Sequence, residues 1–185
     1  MAVAISAISI SVISLFVAIE HGATERKLVA ASSWPFLVYD SQITGLVEGS
    51  KAITLRIRNS GVGPARIQSV AARLDGKPVR SFAELLSACC GTQPTDIDGL
   101  VKVGLYSENP IVGVLPAREG VDFLAVRQRP GNARLFDAFN VARHRLVFSV
   151  CYCSVLDECW RTDLKSTTTP QPVKQCPAVA DGYTE

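Results

Sequence analysis

The sequence predicts a mainly β protein, a single β-sandwich with two short helical insertions behind one N-terminal transmembrane helix. Three observations predict this fold class. The first residues form an uncharged apolar run, short strand-like segments separated by turn residues follow, and strands do not alternate with helices as in a parallel sheet. We divide the 185 residues into a transmembrane helix with a helical extension over 1–33, a sandwich domain over 34–165 and a flexible tail over 166–185.

The composition excludes two classes of protein. A hydrophobic share of 48% with only 19% charged residues is typical of a folded chain and not of a disordered one. The net charge of +2 comes from scattered basic residues, so we expect no nucleic-acid partner, since phosphate binding needs a concentrated basic face. Six cysteines in 185 residues are more than average, but this density is below that of small disulfide-stabilised proteins.

The N-terminal run Ala2–Ile19 contains no charge, proline or glycine. As a helix its eighteen residues rise about 27 Å, close to the thickness of the hydrocarbon layer of a membrane. A cleaved signal peptide is one alternative, but no basic residue precedes the run, and the best cleavage site, Val29–Ala31, lies too far behind it. A buried core helix is the other alternative. The pattern favours an uncleaved membrane anchor.

The residues that follow this run predict on which side of the membrane the domain lies and where the helix ends. Arg26 and Lys27 are the basic residues near it, and the positive-inside rule then slightly favours a cytoplasmic over a periplasmic domain. The composition of residues 20–33 predicts that the helix continues, and Pro35 ends it. We expect Trp34 to be the first core residue of the domain.

The clearest strand is Lys51–Asn59, in which Ile53, Leu55 and Ile57 alternate with polar residues. This alternation indicates an antiparallel sheet with one buried and one solvated face. The next segments join through a turn over 60–65 and a hairpin turn at 75–76. The predicted strands, in chain order, are 36–40, 51–59, 66–74, 77–80, 100–107, 111–115, 121–126, 145–156 and 159–164.

Two helical insertions interrupt the strands. Ser81 and Glu84 have the spacing of a capping box, which predicts a helix that begins at Ser81 and ends at Gly91. Residues 132–141 predict the second helix, with Leu135 and Phe139 on one side.

The run LRIRNSGVGPARIQSVAARLDGKPV, residues 55–79, resembles the edge of bacterial immunoglobulin-like sandwiches. It is also similar to a group of bacterial single-span membrane proteins of unknown function that share an Asn-x-Gly-x-Gly-Pro-Ala turn behind an N-terminal anchor. The segment CYCSVLDECW, residues 151–160, is similar to that second group as well. The resemblance implies an immunoglobulin-like sandwich held in a bacterial inner membrane, and it implies no activity.

Cysteines are the best candidates for chemistry. A two-residue turn at Asp157-Glu158 would place Cys151 and Cys153 on the core face of a hairpin and Cys159 on the other face. In that register Cys159 cannot reach Cys153, so the three cysteines form no metal site. The leading interpretation of Cys151 and Cys153 is packing in the core. The first pair to test for a disulfide is Cys159 and Cys176. We do not expect the neighbouring residues Cys89 and Cys90 to form a disulfide with each other.

No catalytic constellation is present in the pattern, so we predict that the chain is not an enzyme and needs no cofactor. A cysteine–His144 nucleophile is conceivable, but nothing in the spacing supports it. The D-I-D-G stretch at 96–99 lacks the other ligands of a calcium loop.

The leading hypothesis is a non-catalytic interaction or structural module, with membrane lipid and an unknown protein as partners. The alternative is a thiol-based metal-binding or redox protein that uses Cys151, Cys153 and a third cysteine. The compartment decides between thiols and disulfides, since a cytoplasmic domain predicts six reduced cysteines and an outward-facing domain one to three disulfides.

Overall fold

A computed structural model of the chain describes residues 2–45, 51–92, 99, 103–108, 111–177 and 182–183. Within these ranges a long N-terminal helix precedes two β-sheets and two short helices. The elements are, in chain order, α1 (Ala2–Ser32), β1 (Leu37–Thr44), β2 (Ala52–Asn59), β3 (Ala65–Leu74), β4 (Lys77–Val79), α2 (Phe82–Cys90), β5 (Leu105–Glu108), β6 (Gly113–Leu115), β7 (Gly120–Arg127), α3 (Ala133–Ala142), β8 (Leu146–Cys153), β9 (Cys159–Thr162) and β10 (Gln171–Val173).

The strands form two antiparallel sheets with a sandwich-like arrangement. One sheet has four strands in the order β1-β2-β7-β5. The other has six, in the order β10-β9-β8-β3-β4, with β6 also paired to β3. The predicted mainly β architecture with two short helices behind a long N-terminal helix is therefore confirmed.

The hydrophobic core lies between the two sheets. Ile53, Leu55 and Ile57 are fully buried, as their alternation predicts. Tyr39 and Phe148 approach with ring centroids 4.9 Å apart, and Phe148 meets Phe123 edge-on at 5.6 Å. These aromatic rings join the two sheets, because Tyr39 and Phe123 belong to the first sheet and Phe148 to the second.

Helix α2 begins and ends as predicted. The Ser81 hydroxyl accepts a hydrogen bond from the Glu84 amide at 3.3 Å, and Gly91 ends the helix in the left-handed conformation with φ of 66°. The Glu84 carboxylate accepts from the Arg80 amide at 2.7 Å, one residue before the capping position. Phe82 of α2 packs edge-on against Phe139 of α3 at 6.1 Å, so the two insertions bury their apolar sides against each other.

Helix α1 runs without interruption through the predicted span and its extension, and it ends at Ser32, close to Pro35 as predicted. Its side chains over 10–20 are exposed. Among the side chains that the structure describes, which start at residue 10, no helix is apolar over a length sufficient to cross a membrane. Residues 2–9 of the predicted span lie outside the described side chains. Trp34 is 40% exposed and packs on Phe36, so its assignment to the core was wrong.

The segment predicted as a flexible tail, 166–185, contributes a strand. Gln171–Val173 forms β10, which adds to the edge of β9 with Val173 opposite Cys159. Further on, the Tyr183 amide donates to the carbonyl of Val70 on β3 at 2.8 Å. The described part of this segment therefore extends along the six-stranded sheet.

Candidate functional site: a four-cysteine cluster on the outer face of the sheet

The hairpin between β8 and β9 sets the positions of the cysteines. The Ser154 amide donates to the Glu158 carbonyl at 2.8 Å, and Asp157, with φ of 59°, donates back to the Ser154 carbonyl at 3.3 Å. This is a three-residue loop, a turn followed by a left-handed residue, and the two-residue turn we predicted was wrong. The odd loop length changes the register, so that Cys153 lies directly opposite Cys159.

This register moves the cysteines to the face opposite the core. Tyr152 and its partner Trp160 point inward, and Tyr152 is fully buried. Because side chains alternate between the faces of a strand, Cys151 and Cys153 point outward, and Cys159 shares their face. The predicted core position of Cys151 and Cys153 was therefore wrong, although all three cysteines are buried.

Two disulfides form on this outer face. Cys153 bridges to Cys159 with a Cα–Cα separation of 4.0 Å, and Cys151 bridges to Cys176 with a separation of 5.6 Å. The chain reaches Cys176 by crossing from the sheet edge at β10 back over β9 to β8. The expected Cys159–Cys176 bridge was wrong, because the hairpin register already gives Cys159 a partner.

The two bridges are in contact with each other. The Sγ atoms of Cys153 and Cys176, which belong to different disulfides, are 3.9 Å apart. The Sγ atoms of Cys153, Cys159 and Cys176 all lie within 4.8 Å of one another. The structure thus brings Cys159 and Cys176 together with Cys153, and with Cys151, the disulfide partner of Cys176, the cluster contains four sulfur atoms.

Arginines flank the cluster on the neighbouring strands. Arg66 of β3 lies opposite Cys153, and Arg161 of β9 lies opposite Cys151, so both share the outer face. Arg66 also forms an ion pair with Asp157 of the hairpin loop, while its Nε is buried without a hydrogen-bond partner among the described residues. A thiolate released here would lie close to positive charge, which stabilises it.

An open cleft of about 400 Å³ lies beside the second bridge. Cys176 forms part of its wall, together with Gln68, Ser69, Val112 and Tyr183. Gln68 is an extra residue in β3 that interrupts the pairing with β8 next to Cys151. Because Cys176 is only partly buried, a small reductant can approach it from this cleft.

The remaining pair, Cys89 and Cys90, also forms a disulfide, which we did not expect between neighbours. It lies in the last turn of α2, and its two Cα atoms are 3.8 Å apart, the spacing of an ordinary trans peptide. No cysteine of the chain is free.

The disulfides restrict the two other functions considered for the cysteines, nucleophilic catalysis and metal binding. A disulfide sulfur is neither a nucleophile nor a thiolate ligand, so cysteine catalysis and metal binding both require prior reduction. His144 lines a different cavity, whose described lining contains no cysteine. Asp96 and Asp98 of the D-I-D-G stretch lie outside the described residues.

The Asn-x-Gly-x-Gly-Pro-Ala turn, residues 59–65, holds the backbone that follows the end of α1. We call this turn the clamp. Asn59 is fully buried, and its Nδ2 donates to the carbonyls of Gly63 at 2.8 Å and Leu115 at 3.2 Å. Its Oδ1 accepts from the amides of Gly61 at 3.0 Å and Phe36 at 3.2 Å. One side chain thus connects the turn, the strand β6 and the segment that follows the helix.

The two glycines of this turn allow the backbone after α1 to approach closely. A Cβ at Gly63 would lie 2.6 Å from Ser33 Cα, and a Cβ at Gly61 would lie 2.7 Å from the Pro35 carbonyl carbon. Val62, which lies between the two glycines, donates a hydrogen bond from its amide to the Trp34 carbonyl at 3.0 Å. The motif that looked like a simple turn in the sequence therefore fixes the junction between helix and sandwich.

Comparison with known proteins adds no assignment to this geometry. No family model matches the chain, and neither the curated proteins nor the solved structures contain a match.

Proposed function

We propose that this chain is a membrane-anchored, disulfide-stabilised sandwich of immunoglobulin type that acts as a non-catalytic interaction or structural module. We place its domain on the oxidising side of a bacterial inner membrane. The observation that carries the proposal is the pair of touching disulfides formed by Cys151, Cys153, Cys159 and Cys176 on the outer face of the six-stranded sheet.

The three disulfides support the proposed compartment. Cytosolic glutathione and thioredoxin keep thiols reduced, whereas disulfides persist in the periplasm and outside the cell. All six cysteines are in bridges, and the Cα separation of Cys151 and Cys176 lies within the usual disulfide range. This outweighs the two charges at Arg26 and Lys27, since so small a charge bias gives only a weak preference.

The exposed apolar residues of α1 support the proposed anchor. Ile10, Ile13 and Phe16 are exposed, as are the apolar residues between them, and this part of α1 carries no charged residue. A helix of this kind is stable when lipid or another apolar surface covers it, because a monomeric domain rarely exposes so large an apolar area. The clamp at Asn59 then holds the sandwich to the end of this helix.

Thiol alkylation in intact membranes tests the proposal. With the chain denatured in both samples, we expect no cysteine to react without reductant and six to react with reductant. We also expect the chain to stay in the membrane fraction after carbonate and high-salt washing. Six reactive thiols without reductant would overturn the placement in an oxidising compartment, and release by carbonate would overturn the anchor.

A thiol-exchange function is the second candidate, and the 3.9 Å separation of the Cys153 and Cys176 sulfurs favours it. An external dithiol first reduces the Cys153–Cys159 bridge and is itself oxidised to a disulfide. The Cys153 thiolate then attacks Sγ of Cys176, so that a Cys153–Cys176 bond forms, the Cys151–Cys176 bond breaks and Cys151 leaves as a thiolate. No net oxidation occurs in this second step.

Disulfide mapping by mass spectrometry distinguishes exchange from a purely structural role. The variant Cys159→Ser leaves Cys153 without its partner, and exchange predicts a mixture of Cys151–Cys176 and Cys153–Cys176 linkages. The double variant Cys89→Ser/Cys90→Ser is the matched control and should keep both native bridges. A Cys159→Ser protein that contains only the Cys151–Cys176 bridge would contradict exchange, and stoichiometric zinc in the reduced full chain would favour a metal site instead.

A further inference from the structure

A polar cavity of about 410 Å³ lies away from the cysteine cluster, where three distant parts of the chain meet. Its walls come from β1, from the junction of α3 and β8, and from residues 163–167 after β9. Arg143 and Tyr39 line it and are the two residues that carry the argument. Neither belongs to the anchor, the clamp or the disulfides.

Arg143 is a buried cation without an acidic partner among the described residues. It is 8% exposed, its Nε donates to Asn140 Oδ1 at 2.8 Å and its Nη1 donates to the Ser41 hydroxyl at 2.7 Å. Both partners are neutral. Arg143 follows the C-terminus of α3, whose dipole offsets about half a charge. Apart from these two bonds this guanidinium has no hydrogen bond within the described residues, and its remaining N–H groups are accessible to solvent at the cavity, where a ligand can reach them.

Tyr39 adds a second donor at the same cavity. Its hydroxyl is buried and lies close enough to Ser41 for a hydrogen-bonding interaction to lower the Tyr39 pKa slightly, but within the described residues no hydrogen bond of good geometry satisfies it. Burial raises the pKa of Tyr39 to about 12, with a small further increase from the charge of Asp40 and smaller lowering effects of Ser41 and Arg143. The hydroxyl therefore keeps its proton at neutral pH and can donate it to an acceptor.

The rest of the lining suits a negatively charged ligand. Lys165 lies 3.5 Å from Asp163, so this acid is already paired with a cation of the cavity. Ser166 and Thr167 supply hydroxyl groups. With Asp163 paired to Lys165, no described carboxylate of the cavity lining pairs with Arg143.

We infer that this cavity binds an oxyanion group, a phosphate or a carboxylate, held by the free N–H groups of Arg143 and by the Tyr39 hydroxyl. Arginine suits this role, because its planar fork donates two parallel hydrogen bonds to one oxyanion. The ligand would supply the acceptors that these two donors lack in the described chain. The site belongs to the sandwich and does not depend on the anchor or on the redox state of the cysteines.

Thermal unfolding of the full chain in detergent tests this inference, with inorganic phosphate and acetate titrated separately at constant ionic strength. We expect a saturable rise of the unfolding midpoint with at least one anion, and the anion that gives it assigns the ligand to the phosphate or the carboxylate class. The variant Arg143→Gln should lose this rise. Arg145→Gln removes a nearby exposed arginine, which pairs with Asp75, and serves as the control that should respond like the wild type.

The variant Tyr39→Phe keeps the test decisive if Arg143→Gln fails to fold. It removes only a hydroxyl that has no hydrogen bond of good geometry within the described residues, so the domain should stay folded, while loss of one donor should weaken anion binding about tenfold. Absence of a saturable shift with both anions in the wild type would overturn the inference. So would an Arg145→Gln protein that loses the shift as completely as Arg143→Gln, or a Tyr39→Phe protein with unchanged affinity.

Discussion

The substitution Gly63→Ala tests whether the clamp holds the segment that follows α1. A Cβ at this position would lie 2.6 Å from Ser33 Cα, and the carbonyl carbon and oxygen of Ser33 would be closer still. Comfortable contacts between carbon atoms are about 3.5–4.0 Å, so the backbone at Ser33 would have to move by about 1 Å or more. Overpacking of this size costs about 1–3 kcal/mol, and the rigid backbone on both sides places Gly63→Ala at the upper end of that range.

Chemical denaturation of the full chain in detergent measures this cost, and limited proteolysis reports where the structure opens. We expect a lower denaturation midpoint for Gly63→Ala together with new cleavage near residues 33–36. Gly22→Ala is the matched control, because Gly22 lies within α1 with no atom within 4 Å of the added carbon. A Gly63→Ala protein as stable as Gly22→Ala and equally resistant to protease would refute the close approach of the turn to the helix exit.

Three further predictions concern the clamp, the second disulfide and the buried tyrosine. Asn59→Asp replaces a donor that faces backbone carbonyls by an acceptor, so we expect a loss of about 3 kcal/mol or more in unfolding free energy, measured by denaturation. The double variant Cys151→Ser/Cys176→Ser opens a loop of sequence separation 25 and should lose about 3.5 kcal/mol in the same assay; an unchanged midpoint would contradict a structural role. Because the pKa of Tyr39 is raised from 10.0 to about 12 in the folded state, the unfolded chain releases this proton first, and stability should fall between about pH 10 and 12; Tyr39→Phe should flatten that decline, and an identical pH profile would contradict burial of the hydroxyl.

Much of the fold could be predicted because its signals are local. The alternation of Ile53, Leu55 and Ile57 depends only on the period of a strand, and the capping box at Ser81 involves residues three positions apart. The end of α1 follows from the stereochemistry of Pro35. Such features are decided within one or two turns of chain, where sequence patterns have direct physical meaning.

The cysteine pairing could not be predicted because it depends on one loop residue and on a distant segment. Asp157 takes the left-handed conformation that glycine usually occupies in a three-residue hairpin loop, so the sequence offered no glycine to signal it. A loop whose length differs by an odd number of residues shifts β9 against β8, so that each β9 residue shares a face with the other set of β8 residues. Cys176 reaches Cys151 only after the chain has added β10 and turned back over the sheet.

The anion site was also invisible in the sequence. Arg143 and Tyr39 are separated by more than a hundred positions, and each one alone reads as an ordinary helix-end or strand residue. Only the packing of the α3–β8 junction against β1 brings the guanidinium to the Ser41 hydroxyl. Contacts of this kind arise from topology, which a local pattern does not encode.

The unbroken course of α1 has a mechanical consequence for a chain held in a membrane. If residues 2–19 cross the bilayer, the thirteen residues from Glu20 to Ser32 form a rigid rod about 20 Å long between the lipid surface and the sandwich. Because the clamp is hydrogen-bonded to the backbone directly after this rod, the domain cannot reorient freely relative to α1, as it would on a flexible linker. In a chain anchored in this way, the sandwich would be held at a set height and in a set direction, and the proposed partner would have to reach it at that distance from the lipid surface.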